Sequence, residues 1–230
     1  MPDRIVPEPP AVTPEAGRAA VLGRLRGIVG EGLQAGLIDR LRVFCIEDGT
    51  ELVAQYWQPE GYEHDDHRSP RAFLFTPTTR FSWRADGELV HESVGAVLWR
   101  DEPGGRRYCL FRRRAHPTGW YTIPAGHLEA GEDPCAAMRR EVFEETGLAV
   151  LSAELLYEGE LREECRRGSD YHLWQAWCCE AIGEPCISEE ADVVGWYSRL
   201  EIMEELPLIL PAGVFFEKLF GERPRRVRAG

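Results

Sequence analysis

Residues 126–148 read GHLEAGEDPCAAMRREVFEETGL, and they set five glutamates between Gly126 and Gly147 in a chain whose formal net charge is −12. Asp133 suits a helix N-cap, Pro134 the first helical position and Gly147 the stop, so residues 134–146 are expected to form one helix. On that helix Glu141, Glu144 and Glu145 stand at i, i+3 and i+4, which share one face. Mutual repulsion costs roughly a few tenths of a kcal/mol per exposed pair, and more where the pair is partly buried. A solvated acidic face tends to intersperse Lys or Arg with Glu, whereas here Arg139 and Arg140 precede the cluster. The preceding loop adds another carboxylate, Glu132, and a glycine, Gly126, whose carbonyl can approach closely. Hard divalent cations such as Mg²⁺ take oxygen ligands of this kind, often with phosphate oxygens completing the shell. The spacing therefore points to a cation that turns repulsion into coordination.

The stretch resembles the Nudix box, G-x5-E-x7-R-E-U-x-E-E-x-G-U with U aliphatic. Gly126, Glu132, Arg140, Glu141, Val142, Glu144, Glu145, Gly147 and Leu148 fill every defined position. The resemblance implies the Nudix fold over about residues 90–222, a mixed β-sheet sandwiched by helices. It also implies hydrolysis of a diphosphate linkage in a nucleoside diphosphate joined to a further group, or of a nucleoside triphosphate. Carried over to this chain, it makes Glu141, Glu144 and Glu145 ligands of Mg²⁺ or Mn²⁺, with the Gly126 carbonyl as a further ligand. Arg140 would orient a box glutamate by a salt bridge, and Glu132 would support the loop and its charge network. Such cations neutralise the diphosphate and lower the pKa of an attacking water. The proton of that water goes to Glu141 in the box, or to Glu180, Glu189 or Glu190 beyond it, with Glu190 preferred among the last three.

Outside the box, Arg112, Arg113 and Arg114 stand just upstream, and Arg forks match phosphate oxygens. Strand alternation allows at most some of them into one site; Arg112 and Arg114 are the candidates for the substrate phosphates. Trp120 could stack a base or pack the site floor. His127 lies inside the box, where it could face substrate or hydrogen-bond locally. His64, Asp65, Asp66 and His67 form a metal-type cluster within a polar loop. Trp174, Trp177 and Trp196 read as core. Zinc-binding cysteines found in some NADH-cleaving Nudix enzymes are absent, and the substrate stays open between nucleotide sugar, ADP-ribose-like compound and nucleoside triphosphate. The alternative is a non-catalytic Nudix-fold nucleotide sensor, against which the complete set of box glutamates speaks.

The 230 residues, 43% hydrophobic and 29% charged, suffice for a soluble domain with a real core plus an appended segment. The acidic balance offers no footprint for nucleic acid. Seven cysteines, with no C-x-x-C pair, read as reduced thiols, and there is neither a secretory apolar region nor a membrane-length apolar run. The expectation is a cytoplasmic protein, with no nucleic-acid or membrane partner and a possible homodimer. Two domains are expected: residues 1–90, an extension of a helix over 14–41, a strand pair around Asp48-Gly49 and short strands at RAFLF, RFSW and ELVHE, and residues 91–230, the Nudix domain. Strands and helices follow one another without regular βαβ alternation, which favours an α+β class. In the second block the expected elements are a hairpin of SVGAVLWR and RYCLFRRR and the 134–146 helix. Strands at AVLSAELLYEGEL, DYHLWQAWCCEAIG and DVVGWYS and a closing helix at PAGVFFEKLFG complete it.

Overall fold

A computed structural model describes residues 19, 23, 26, 27, 30, 34, 40–45, 52–57, 71–75, 80–84, 89–114, 117–163, 171–188 and 191–228. The chain divides into two compact units, Met1–Thr78 and Thr79–Gly230. In the first, Ala19, Gly23, Arg26, Gly27, Gly30 and Gln34 are helical. Strands β1 (Arg40–Cys45), β2 (Leu52–Trp57) and β3 (Arg71–Phe75) form an antiparallel sheet in the order β1-β2-β3. Arg40 and Leu41, at the end of the expected helix, are the first residues of β1 instead. The cluster expected at His64, Asp65, Asp66 and His67 lies outside the described residues.

The second unit is built on an eight-stranded mixed sheet with the path β11-β6-β5-β10-β9. Its strands are β4 (Phe81–Trp83), β5 (Leu89–Glu102), β6 (Gly105–Arg113), β7 (Tyr121–Thr122), β8 (Ala125–His127), β9 (Ala149–Arg162), β10 (Tyr171–Ile182) and β11 (Ala191–Ser198). ELVHE and SVGAVLWR, expected as separate strands, are one continuous β5. Val90, His91, Val94, Ala96, Val97 and Leu98 are all buried, and Ser93 and Gly95 between them continue the strand rather than turn it. Such a doubly buried run suits a central strand, and β5 does pair in parallel with β10 and antiparallel with β6. Around it lie helices α1 (Pro134–Thr146), α2 (Arg199–Glu204) and α3 (Leu210–Phe220). This is the mixed sheet between helices, the α+β Nudix fold, that the box implied.

Strand alternation splits the core in two. Even-numbered Val94, Ala96 and Leu98 of β5 meet Ala137, Met138 and Val142 of α1, with Trp177 and Cys179 of β10. Odd-numbered Val97 joins Trp174 and Ala176 of β10 and Phe215 and Phe216 of α3 on the opposite face. Trp174 and Trp177 thus serve as core, one on each face, and Trp196 is partly buried against the α1 side. Helix α2 was not foreseen, although Ser198 and Glu201 spell its capping box: the Ser198 hydroxyl accepts from the Glu201 N–H, and the Glu201 carboxylate accepts from the Ser198 N–H at 2.7 Å. Cys109, Cys135, Cys178, Cys179 and Cys186 are free thiols. Among the described residues no helix is long and apolar enough to cross a membrane.

Candidate metal centre

Helix α1 carries the acidic face, and both its ends are fixed locally. Asp133 Oδ1 accepts from the Ala136 N–H at 2.9 Å, Pro134 occupies the first turn, and Gly147 leaves the helix at φ 71° while donating to the Phe143 carbonyl at 2.8 Å. Ala137, Met138 and Val142 anchor the buried side against the sheet. With that face pinned, Glu141 and Glu145 are directed back toward β8, where residues 125–127 run antiparallel to β5.

Glu141 lies against Gly126. A β-carbon at position 126 would overlap the Glu141 carboxylate, so the absence of a side chain is what lets the backbone and the acid meet. Glu145 accepts from the neighbouring Ala125 N–H through Oε2 at 2.9 Å. Arg140 ties the set together. Its Nη1 donates to Glu141 Oε1 at 2.7 Å and to Glu144 Oε2 at 3.2 Å; its Nε and Nη2 hold the two oxygens of Glu132 at 2.9 and 3.0 Å. Nη2 also reaches the His127 carbonyl at 3.4 Å. Glu141 is only 14% exposed at its side chain, whereas Glu144 is 57% exposed, so the acidic set grades from buried floor to open rim.

One guanidinium, Arg140, bridges the three carboxylates of Glu132, Glu141 and Glu144, and Glu145 takes the Ala125 N–H, while Arg139 turns away to donate to the Val150 carbonyl. Burial raises the proton affinity of Glu141 above that of an ordinary carboxylate, and Arg140 only partly offsets it. The hydrogen bonds from Arg140 instead hold Glu132 below the usual carboxylate range, and the same pairing raises the affinity of Arg140 for its proton. An oxygen-only set of clustered carboxylates, beside a backbone that a side chain would block, fits a hard divalent cation.

The residues expected around this centre divide. Gly126, Glu132, Arg140, Glu141, Glu144 and Glu145 are brought together. Arg112, expected on the substrate, is engaged by both oxygens of Asp192 at 2.9 and 3.0 Å, a pairing that strand register between β6 and β11 sets up. Arg114 is exposed, and Trp120 is half-buried against the α3-side core. Glu180 accepts from Ser152 on the neighbouring strand at 3.4 Å. Glu189 and Glu190 lie outside the described residues.

A family model described as the NUDIX domain matches residues 89–219, more than half of the chain. The chain is 47% identical over 76 residues to an octanoyltransferase of Myxococcus xanthus and 42% identical over 65 residues to an RNA pyrophosphohydrolase of Dinoroseobacter shibae. The two stretches cover 33% and 28% of this chain but only 21% and 39% of those proteins, so the chain spans well under half the length of either relative. Among solved structures, the NUDIX domain of Shewanella oneidensis NrtR, complexed with ADP ribose, superposes with a TM-score of 0.50 at 18% identity, covering 57% of this chain and 87% of that one. That likeness is one of fold.

Proposed function

From the premise that this chain belongs to the Nudix family, whose general chemistry is metal-assisted hydrolysis of diphosphate linkages, we propose that it cleaves a nucleoside diphosphate derivative into a nucleoside monophosphate and a second phosphorylated product. The substrate classes that remain open are nucleotide sugars, ADP-ribose-like compounds and nucleoside triphosphates. The observation carrying this reading is the close seating of the Glu141 carboxylate on Gly126, with Arg140 bridging Glu141 to Glu144.

Glu141, Glu144, Glu145 and the Gly126 carbonyl are the groups that would hold Mg²⁺ or Mn²⁺. When bound, such a cation supplies charge neutralisation on the phosphate oxygens and a water acidified for attack. The chain's own residues do the rest. Arg140 fixes Glu141 through Oε1 and leaves Oε2 as the oxygen able to take the proton of the attacking water. Glu132 in turn fixes Arg140, so the guanidinium cannot swing away from the helix face. Water oxygen adds to phosphorus, the bridging P–O bond breaks, and the released proton comes to rest on the carboxylate. Arg114, exposed at the end of β6, is the open guanidinium we assign to substrate phosphate, and Arg112 is available only by giving up Asp192. Trp120 serves as packing under this reading.

The test is a panel of ADP-ribose, nucleotide sugars, dinucleoside polyphosphates, nucleoside triphosphates and 5′-triphosphorylated RNA, the last because of the RNA pyrophosphohydrolase relatives. Products are followed by phosphorus NMR with Mg²⁺. At least one nucleotide is turned over, and Glu144→Gln lowers that turnover by about 10²-fold or more, since several kcal/mol of cation-supplied stabilisation is lost. Binding of a nucleotide without any turnover would move the assignment to a sensor. Full activity in Glu144→Gln would remove Glu144 from the ligand set.

A further inference from the structure

Three histidines far apart in sequence converge on the sheet face opposite α1. His91 of β5 and His172 of β10 are direct neighbours in the parallel register, and His127 of β8 pairs with Ser93, two residues on from His91. Odd-numbered positions of β5 face α3, so this cluster belongs to the other side of the sheet from the Val94–Met138 core. His172 stacks on Trp174, which in turn meets Phe215 of α3.

We propose that His91, His127 and His172 form a second metal site, selective for a borderline-soft transition ion of the Zn²⁺ or Co²⁺ kind and distinct from the carboxylate centre. One ring nitrogen from each histidine lies within 4.8 Å of the other two, and the ring centroids are 4.5, 5.4 and 5.5 Å apart. A tetrahedral ion with Zn–N bonds of about 2.0–2.1 Å spaces its nitrogens roughly 3.3 Å apart, so small side-chain rotations close the set without a change in strand register. Imidazole nitrogens suit Zn²⁺, Co²⁺ and Ni²⁺, whereas Mg²⁺ prefers the oxygens of the other centre.

Two features of His172 support a ligand role. Its Nδ1 is held by the Ser93 hydroxyl at 2.8 Å, the kind of outer partner that orients a metal-binding imidazole. Its Nε2 is buried and has no hydrogen-bond partner among the described residues, which is where a ligand bond would go. His127 is half-buried and gives the ion a route in; three protein ligands leave a fourth position for water. Because His127 follows Gly126, and its carbonyl accepts from Arg140, an ion held here would also stiffen β8 where it presents the Gly126 carbonyl to the glutamates. The site stands whether or not the glutamate centre hydrolyses anything.

The experiment is a Co²⁺ titration of the full chain after chelator treatment, in excess Mg²⁺, read by visible absorption and by bound metal per chain. One equivalent of Co²⁺ with the intense absorption of four-coordinate cobalt is expected. Binding should weaken at least tenfold in His127→Gln and in His172→Asn, and stay unchanged in Glu144→Gln. His172 is buried, so His127→Gln decides if His172→Asn does not fold, with circular dichroism confirming that the tested chain is intact. The proposal is overturned if wild type shows no saturable visible spectrum, if folded His127→Gln keeps it, or if Glu144→Gln loses it.

Discussion

Arg140 holds Glu132 with a two-pronged contact, touches Glu141 and Glu144 with one nitrogen, and reaches the His127 carbonyl with another. Its position makes Glu132 a support for the site rather than a part of its open face. Glu132 is 19% exposed at its side chain, so Glu132→Gln should cost about 1.5–3 kcal/mol, the range for hydrogen bonds to charged groups. The sign of its pH dependence follows from the lowered proton affinity of Glu132. The contribution is fully present above the ordinary glutamate value of 4.5 and is lost as pH falls through the folded-state value below it. Chemical denaturation of both proteins between pH 3 and 7 should therefore show the gap between wild type and variant closing only below about pH 4.5. A gap that widens on acidification would contradict the pairing. At this scale the box residues were legible because each sits at a fixed offset on one short helix and its loop. Arg112 was not, because its partner Asp192 is 80 residues away in sequence, on a strand whose register no local pattern reveals.

Helix α1 is an element whose start, stop and buried face are all written in neighbouring residues, and the structure places it at Pro134–Thr146 as expected. Gly147 is the position where the backbone itself demands the residue. Its φ of 71° is left-handed, while a β-carbon there would meet nothing closer than Cys186 at 3.8 Å. Gly147→Ala should thus cost only conformational strain, about 1 kcal/mol, seen as a fall of about 2–4 °C in Tm by tryptophan fluorescence. No change in Tm would argue that the helix does not end there. The same local logic could have found α2 through Ser198 and Glu201, and that signal was overlooked. The join of ELVHE to SVGAVLWR was hidden for a different reason: a strand buried on both faces loses the alternation that marks its limits. The histidine cluster was beyond reach altogether, since it depends on β5, β8 and β10 lying side by side.

Across the second unit, one sheet separates two kinds of chemistry. On the α1 side and its loop, carboxylates gather with one guanidinium among them; on the α3 side, imidazoles gather over an aromatic core. Donor chemistry alone would sort ions between the two, oxygen-seeking Mg²⁺ and Mn²⁺ to the first and nitrogen-seeking Zn²⁺ or Co²⁺ to the second. The net charge of −12 makes this sorting relevant to substrate as well, because an anionic diphosphate approaching an acidic protein needs cations at the point of contact. Anomalous scattering from crystals soaked in Mn²⁺ tests that claim most directly. The account predicts a manganese peak bounded by Glu141, Glu144, Glu145 and the Gly126 carbonyl; a map with no peak among those groups, at Mn²⁺ concentrations that support turnover, would contradict it.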